Sequence, residues 1–147
     1  MKTLFGLAVL TLLVGCASVP MASTQDDAAA KTFAPPTGKV NIYIVRASAI
    51  IAGPIAYDVA IDGKAVGAIA PGTFYLLTVE PGRHVIRASS KENTDQVKID
   101  AEADKNYFLE VSPVLGFSTY RASIKQIEED KGKELVKQEK RAESMID

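Results

Sequence analysis

Between Lys39 and Ile127, apolar and polar residues alternate in short runs cut apart by turn residues. A period of two places successive side chains on opposite faces of an extended chain, so the runs read as strands. Val40, Ile42 and Ile44 alternate with Asn41, Tyr43 and Val45 in the first run, and Tyr57, Val59 and Ile61 alternate with Asp58, Ala60 and Asp62 in the second. Asp62-Gly63 follows at once, and Lys64 to Ile69 resumes an apolar strand. Asp-Gly between two such runs predicts a type I′ hairpin, whose two central residues both need positive φ. Pro71-Gly72 and Pro81-Gly82 separate the next strands, at 73–79 and 83–88. Further runs at 96–101, 107–112 and 121–127 complete the pattern. Short strands with Gly/Pro turns between them predict a mainly β fold, a small antiparallel β-sandwich or partly open barrel of seven to eight strands.

Both ends of the chain differ from this middle. Residues 16–38 carry Ala, Ser, Thr, Pro, Gln and Asp with little periodicity, and Pro35-Pro36-Thr37-Gly38 ends any regular element. This stretch reads as a flexible tether, with Asp26 and Asp27 as solvated linker charge. The domain proper is expected over 39–128. Residues 129–147 read as a charged helical tail, acidic first and basic later as the helix dipole favours, fraying except where Leu135 and Val136 touch the sheet.

The first fifteen residues read as a lipoprotein signal peptide. Lys2 supplies a positive start, and the apolar run Leu4 to Val14 is too short to span a bilayer. It ends in Leu13-Val14-Gly15-Cys16. That tetrad resembles the lipobox of bacterial lipoproteins, cut before the cysteine. The resemblance implies a diacylglyceryl group on the Cys16 sulfur and a further acyl chain, such as palmitate, on the new amine. Two or more chains hold a protein stably on a membrane. Ala17 and Ser18 lack the Asp that resembles an inner-membrane retention signal, which favours the outer membrane, facing the periplasm. The alternative is an ordinary secretory signal cut after Ala17 or Ala22.

Composition narrows the partners. With 17 basic and 18 acidic side chains, no basic excess exists to neutralise phosphates, so nucleic acid is not an expected partner. One cysteine and one histidine cannot build a common zinc site, so no metal and no other cofactor is expected. No G-x-S-x-G, S-x-x-K or glycine-rich phosphate loop occurs. His84 has no evident nucleophile or acid beside it, and reads as a strand-start histidine bonding a turn carbonyl. Arg83 and Arg87 share a strand face, and with Arg46 they suggest a small anion-binding patch or, more simply, a solvated sheet face. Glu110, Asp100 and Asp58 read as outward-facing carboxylates. No catalytic residue is assigned, and an enzyme is not expected.

Several segments resemble an uncharacterised bacterial family, the domain-of-unknown-function family numbered 2846, found mostly in lipoproteins. They are Lys39-Val40-Asn41-Ile42-Tyr43-Ile44-Val45-Arg46, Val59-Ala60-Ile61-Asp62-Gly63, Pro71-Gly72-Thr73-Phe74-Tyr75, Pro81-Gly82-Arg83-His84 and Asn106-Tyr107-Phe108-Leu109. The Asp-Gly hairpin followed by Pro-Gly-Arg-His also resembles small PEGA-type β-domains of bacterial surface proteins. The resemblance implies a location and a fold, and no reaction.

Two loops are unusually apolar. Residues 47–55 read Ala-Ser-Ala-Ile-Ile-Ala-Gly-Pro-Ile, and residues 113–117 read Pro-Val-Leu-Gly-Phe. Loops are normally polar, and contiguous exposed apolar surface marks a partner site. If every turn reverses the chain, the two loops meet at one end, and Ile50, Ile51, Ile55, Leu115 and Phe117 form one apolar rim. The alternative is that both loops fold inward and plug the core. The expected function is a membrane-anchored envelope lipoprotein whose β-domain binds an envelope partner, a protein, without catalysis. The competing expectation is a structural or carbohydrate-proximal envelope module with no discrete ligand.

Overall fold

The computed structural model describes residues 19–49 and 52–146. The expected signal peptide over 1–15, Cys16, Ile50 and Ile51 lie outside the described residues. Eight strands lie on the runs the sequence marked: β1 (Val40–Arg46), β2 (Tyr57–Ile61), β3 (Lys64–Ile69), β4 (Thr73–Val79), β5 (Gly82–Ser89), β6 (Thr94–Ala101), β7 (Lys105–Leu115) and β8 (Tyr120–Ile127), with Pro113, Val114 and Leu115, expected in a loop, instead continuing β7 in pairing with β8. A two-residue strand, β9 (Lys140–Arg141), adds to them. They form two sheets, ordered β8-β7-β1-β4-β9 and β3-β2-β5-β6, packed as a β-sandwich. Asp62 and Gly63 have φ of 49° and 82°, the two positive values of a type I′ turn.

Most pairs are antiparallel, but β1 runs parallel to β7, and β4 parallel to β9. The mostly antiparallel expectation holds, and β1 and β7 can run parallel because they are joined through the opposite sheet and so need not reverse. The ends of the sandwich follow from the register. One end carries the loops after β1, β3, β5 and β7, and is called the tip end. The other carries the turns at 62–63, 80–81 and 102–104, and is called the base.

Val40, Ile42 and Ile44 face the main core between the sheets, with Tyr57, Val66, Ile86 and Leu109. All seven residues of β1 are buried, because its other face is covered too. Tyr43, Val45, Phe74 and Phe108 form a second small core with Ala30 and Val136. Two helices supply that cover, α1 (Thr24–Ala30) and α2 (Glu129–Gln138).

Over the described residues 19–38 the flexible tether is therefore corrected, and so is the fraying tail. Ser23 caps α1 by accepting the Asp26 N–H at 3.1 Å, and the Tyr43 hydroxyl donates to the Ala30 carbonyl at 2.8 Å. Burial pushes the Tyr43 phenol up to about 12. Phe33 packs on Tyr43 and Phe108, with ring centroids 5.4 and 6.0 Å away. Asp27 is not free linker charge. It pairs with Lys31 at 2.8 Å and accepts the Arg141 N–H at 2.7 Å. In the tail, buried Glu139 accepts the Ser48 N–H at 2.8 Å, Met145 N–H donates to Val66 of β3 at 2.8 Å, and Ala142 is buried in the main core. The folded unit thus extends well beyond 39–128 on both sides.

Candidate functional site

β7 and β8 continue past the body of the sandwich as a hairpin, and its apex leaves no room for a Cβ at Gly116. A methyl there would overlap the Glu92 carboxylate and the Thr119 carbonyl. Gly116 N–H closes the apex by donating to Thr119 O at 2.9 Å. Glu92, from the β5–β6 turn of the other sheet, then grips the loop. Its carboxylate accepts the Ser118 hydroxyl at 2.8 Å and the N–H groups of Phe117, Ser118 and Thr119 at 3.0, 2.7 and 2.7 Å. The Ser118 hydroxyl, followed by these backbone donors, holds the Glu92 carboxyl down to about 2.

Two more side chains of that turn and strand extend the grip along β8. Asn93 exchanges a pair of hydrogen bonds with the backbone of Ala122 at 2.8 and 2.9 Å, and Asp95 accepts the Ile124 N–H at 2.9 Å. They satisfy the outer edge of β8 as a neighbouring strand would. The hairpin apex is thereby fixed from the opposite sheet, and its apolar residues do not fold back. Val114 is 50 %, Leu115 79 % and Phe117 102 % exposed.

The sequence-derived rim is assembled in part. The parallel pairing of β1 with β7 brings the 47–55 and 113–117 loops to the same end. Ile55 is half-buried against the main core. Ile50 and Ile51 fall outside the described residues. A cleft of about 590 Å³ lies between Ile55-Ala56 and the start of β8, lined by Ile55, Ala56, Lys91, Glu92, Thr119 and Tyr120. Val114 and Glu92 escaped the sequence reading. Val114 carries the same apolar signal as its neighbours, whereas nothing local marks Glu92, whose partners lie some 25 residues away.

Under the tip, Arg46 is 2 % exposed. It donates to the carbonyls of Ile55 and, at 3.1 Å, Ile69, and its guanidinium lies 4.4 Å from the Tyr57 ring centroid. The surface anion patch with Arg83 and Arg87 does not form. Those two pair across the outer face, with Asp100 at 3.0 Å and Gln96 at 3.1 Å.

His84 sits at the base, at the far end of the sandwich from the tip. Its Nδ1 lies 2.7 Å from Asp62 and its Nε2 2.8 Å from the Glu80 carbonyl, the turn carbonyl the sequence reading anticipated. Burial of the ring opposes its charge, but the bonds to Asp62 and Glu80 outweigh it and raise the imidazole above its ordinary value. Asp62 also accepts the Val85 N–H at 2.9 Å, so the pair ties the β2–β3 turn to β5. Both ring nitrogens are occupied by acceptors, an arrangement suited to bracing a turn.

The fold and the apex define a β-sandwich module with a rigid apolar tip. Residues 36–122 match the family described as "Protein of unknown function (DUF2846)". The chain belongs to that family. It is also 34 % identical over 131 residues to an uncharacterized protein of Haemophilus influenzae, covering 88 % of this chain and 77 % of that one. No solved structure matches.

Proposed function

We propose that this protein is a lipid-anchored lipoprotein of the bacterial envelope, held by acyl chains on Cys16 in the outer membrane and facing the periplasm. Its domain works without catalysis, by docking an envelope protein on the tip formed by Val114, Leu115 and Phe117. The observation that carries the reading is the apex itself. A domain that leaves a phenylalanine 102 % exposed, on a loop pinned by four hydrogen bonds to one carboxylate, presents that ring to something else. Aromatic anchors of this kind dominate the energetics of protein interfaces. Among the described residues no helix is long and apolar enough to cross a membrane. The anchoring half of the proposal therefore rests on Leu13-Val14-Gly15-Cys16.

The two halves are tested separately. Intact mass spectrometry of the membrane-purified protein should give a chain beginning at acylated Cys16, and Cys16→Ser should remain unlipidated. An unmodified N-terminus at Ala17 or later rejects the anchor. Crosslinking in intact cells should capture an envelope protein, and Leu115→Asp with Phe117→Asp should lose it while the domain stays folded. Capture unchanged by that pair rejects the tip.

A further inference from the structure

The chain is already folded three residues after Cys16. Val19 packs against the main core, the Pro20 carbonyl accepts the Glu143 N–H at 2.9 Å, and Met21 forms a bridge with Ala142. Three residues reach at most about 10 Å. An acyl chain on Cys16 thus leaves the domain no freedom to stand away from its bilayer. The place where the chain enters decides which surface faces the lipid.

That place is the side of the sandwich where β9 and β3 are the sheet edges. Residues 140–146 close this side, running along β4 and crossing to β3 at Val66. Residues 19–22 lie antiparallel to them. Traced backwards from Ala22 to Val19, the chain therefore runs toward the base, away from the apolar tip. Among the described residues, the exposed large apolar side chains divide between the two places. Val114, Leu115 and Phe117 are at the tip, whereas Met21 at 41 % and Met145 at 74 % exposure flank the entry of the chain. Charge does not explain the second group. Lys64 and Lys140 are exposed on this side, and so are Glu143 and Asp26, so neither sign prevails.

Resting on the acylation of Cys16 proposed above, we propose that this terminal side of the sandwich lies on the anchoring bilayer. Met21 and Met145 enter its interfacial layer, and the tip is held out of it. The contact is apolar and follows from the short linker, so it does not depend on anionic lipid.

The test uses full-length acylated protein in vesicles of phosphatidylcholine, with and without phosphatidylglycerol. Cys16 is blocked by its thioether, so Met145→Cys or Phe117→Cys supplies a single thiol for an NBD label. Both positions are exposed, and neither change removes a core contact. Lipid carrying a headgroup nitroxide should quench the label at 145 and leave the label at 117 unchanged, equally in both lipid mixtures. Quenching at 117, quenching at neither position, or quenching at 145 only with anionic lipid overturns the proposal. Mass and vesicle flotation read acylation independently. A protein that lacks the acyl mass and fails to float overturns the anchor reading and this orientation together, whereas a floating, acylated protein with the wrong quenching pattern overturns the orientation alone.

Discussion

His84 is the only imidazole in the chain, which makes its environment directly measurable. Its pKa is raised by Asp62 and Glu80 against burial, and that of Asp62 is lowered by Val85 and His84, again against burial. A raised histidine stabilises fully below its unfolded value of about 6.5 and loses that contribution as pH climbs through the folded one. A lowered aspartate contributes above about 4 and loses its contribution as pH falls through its own folded value. The turn should therefore be tightest between those limits. An NMR titration should place His84 above the ordinary imidazole value, and Asp62→Asn should bring it down; no difference between the two proteins would contradict the pairing. Arg46 tests the other end. Arg46→Met leaves the carbonyls of Ile55 and Ile69 without this donor, and should cost about 1–3 kcal/mol in a denaturant titration. The histidine's turn partner was legible because a strand-start histidine after Pro-Gly has a carbonyl within reach. The buried arginine was not, since a basic residue closing a strand reads as surface, and its acceptors come from two distant segments.

Four of the eight longer strands were legible in the period of two and the other four in β-forming runs between turn residues, and the Asp62-Gly63 turn was legible in its residue types. What alternation could not convey is that β1 is covered on both faces. Asn41, Tyr43 and Val45 look like an outward face until α1 and α2 cover it. Those helices are short, and their partners are far off in sequence, so no local pattern announces their docking. Gly132 shows how close the docking is, because a Cβ there would overlap the Phe108 ring. In a free helix Gly→Ala gains about 1 kcal/mol. Here Gly132→Ala should instead destabilise by about 1–2 kcal/mol through overpacking, and a rise in melting temperature would contradict the packing. The apex makes a parallel case. Glu92→Gln replaces one acceptor oxygen with a donor facing backbone N–H groups. Amide exchange at Phe117, Ser118 and Thr119 should quicken while the strands keep their protection. Because the Glu92 carboxyl is held at about 2, its grip should be fully present above the usual carboxylate range and weaken only as pH falls toward that value.

The molecule as a whole sets its chain entry apart from its exposed apolar apex. Its terminal segments, expected as tether and tail, instead seam the open side of the sandwich and bring the chain entry onto the body of the domain. The counting of reversals placed both apolar loops at one end correctly, although a parallel pair lies between them, because an even number of reversals separates β1 from β7. That arrangement sets Leu115 and Phe117 apart from the side that carries Val19. The family match covers the strands from β1 into β8, including the apex, and is silent on a partner. Protein docking at the apex is checked by placing a photoreactive benzophenone side chain at position 117 in intact cells, and, as a control, at Lys98 on the outer face of β6. Irradiation should give a discrete adduct with an envelope protein at 117 and none at 98. The absence of an adduct at 117, or the same adduct at both positions, would contradict it.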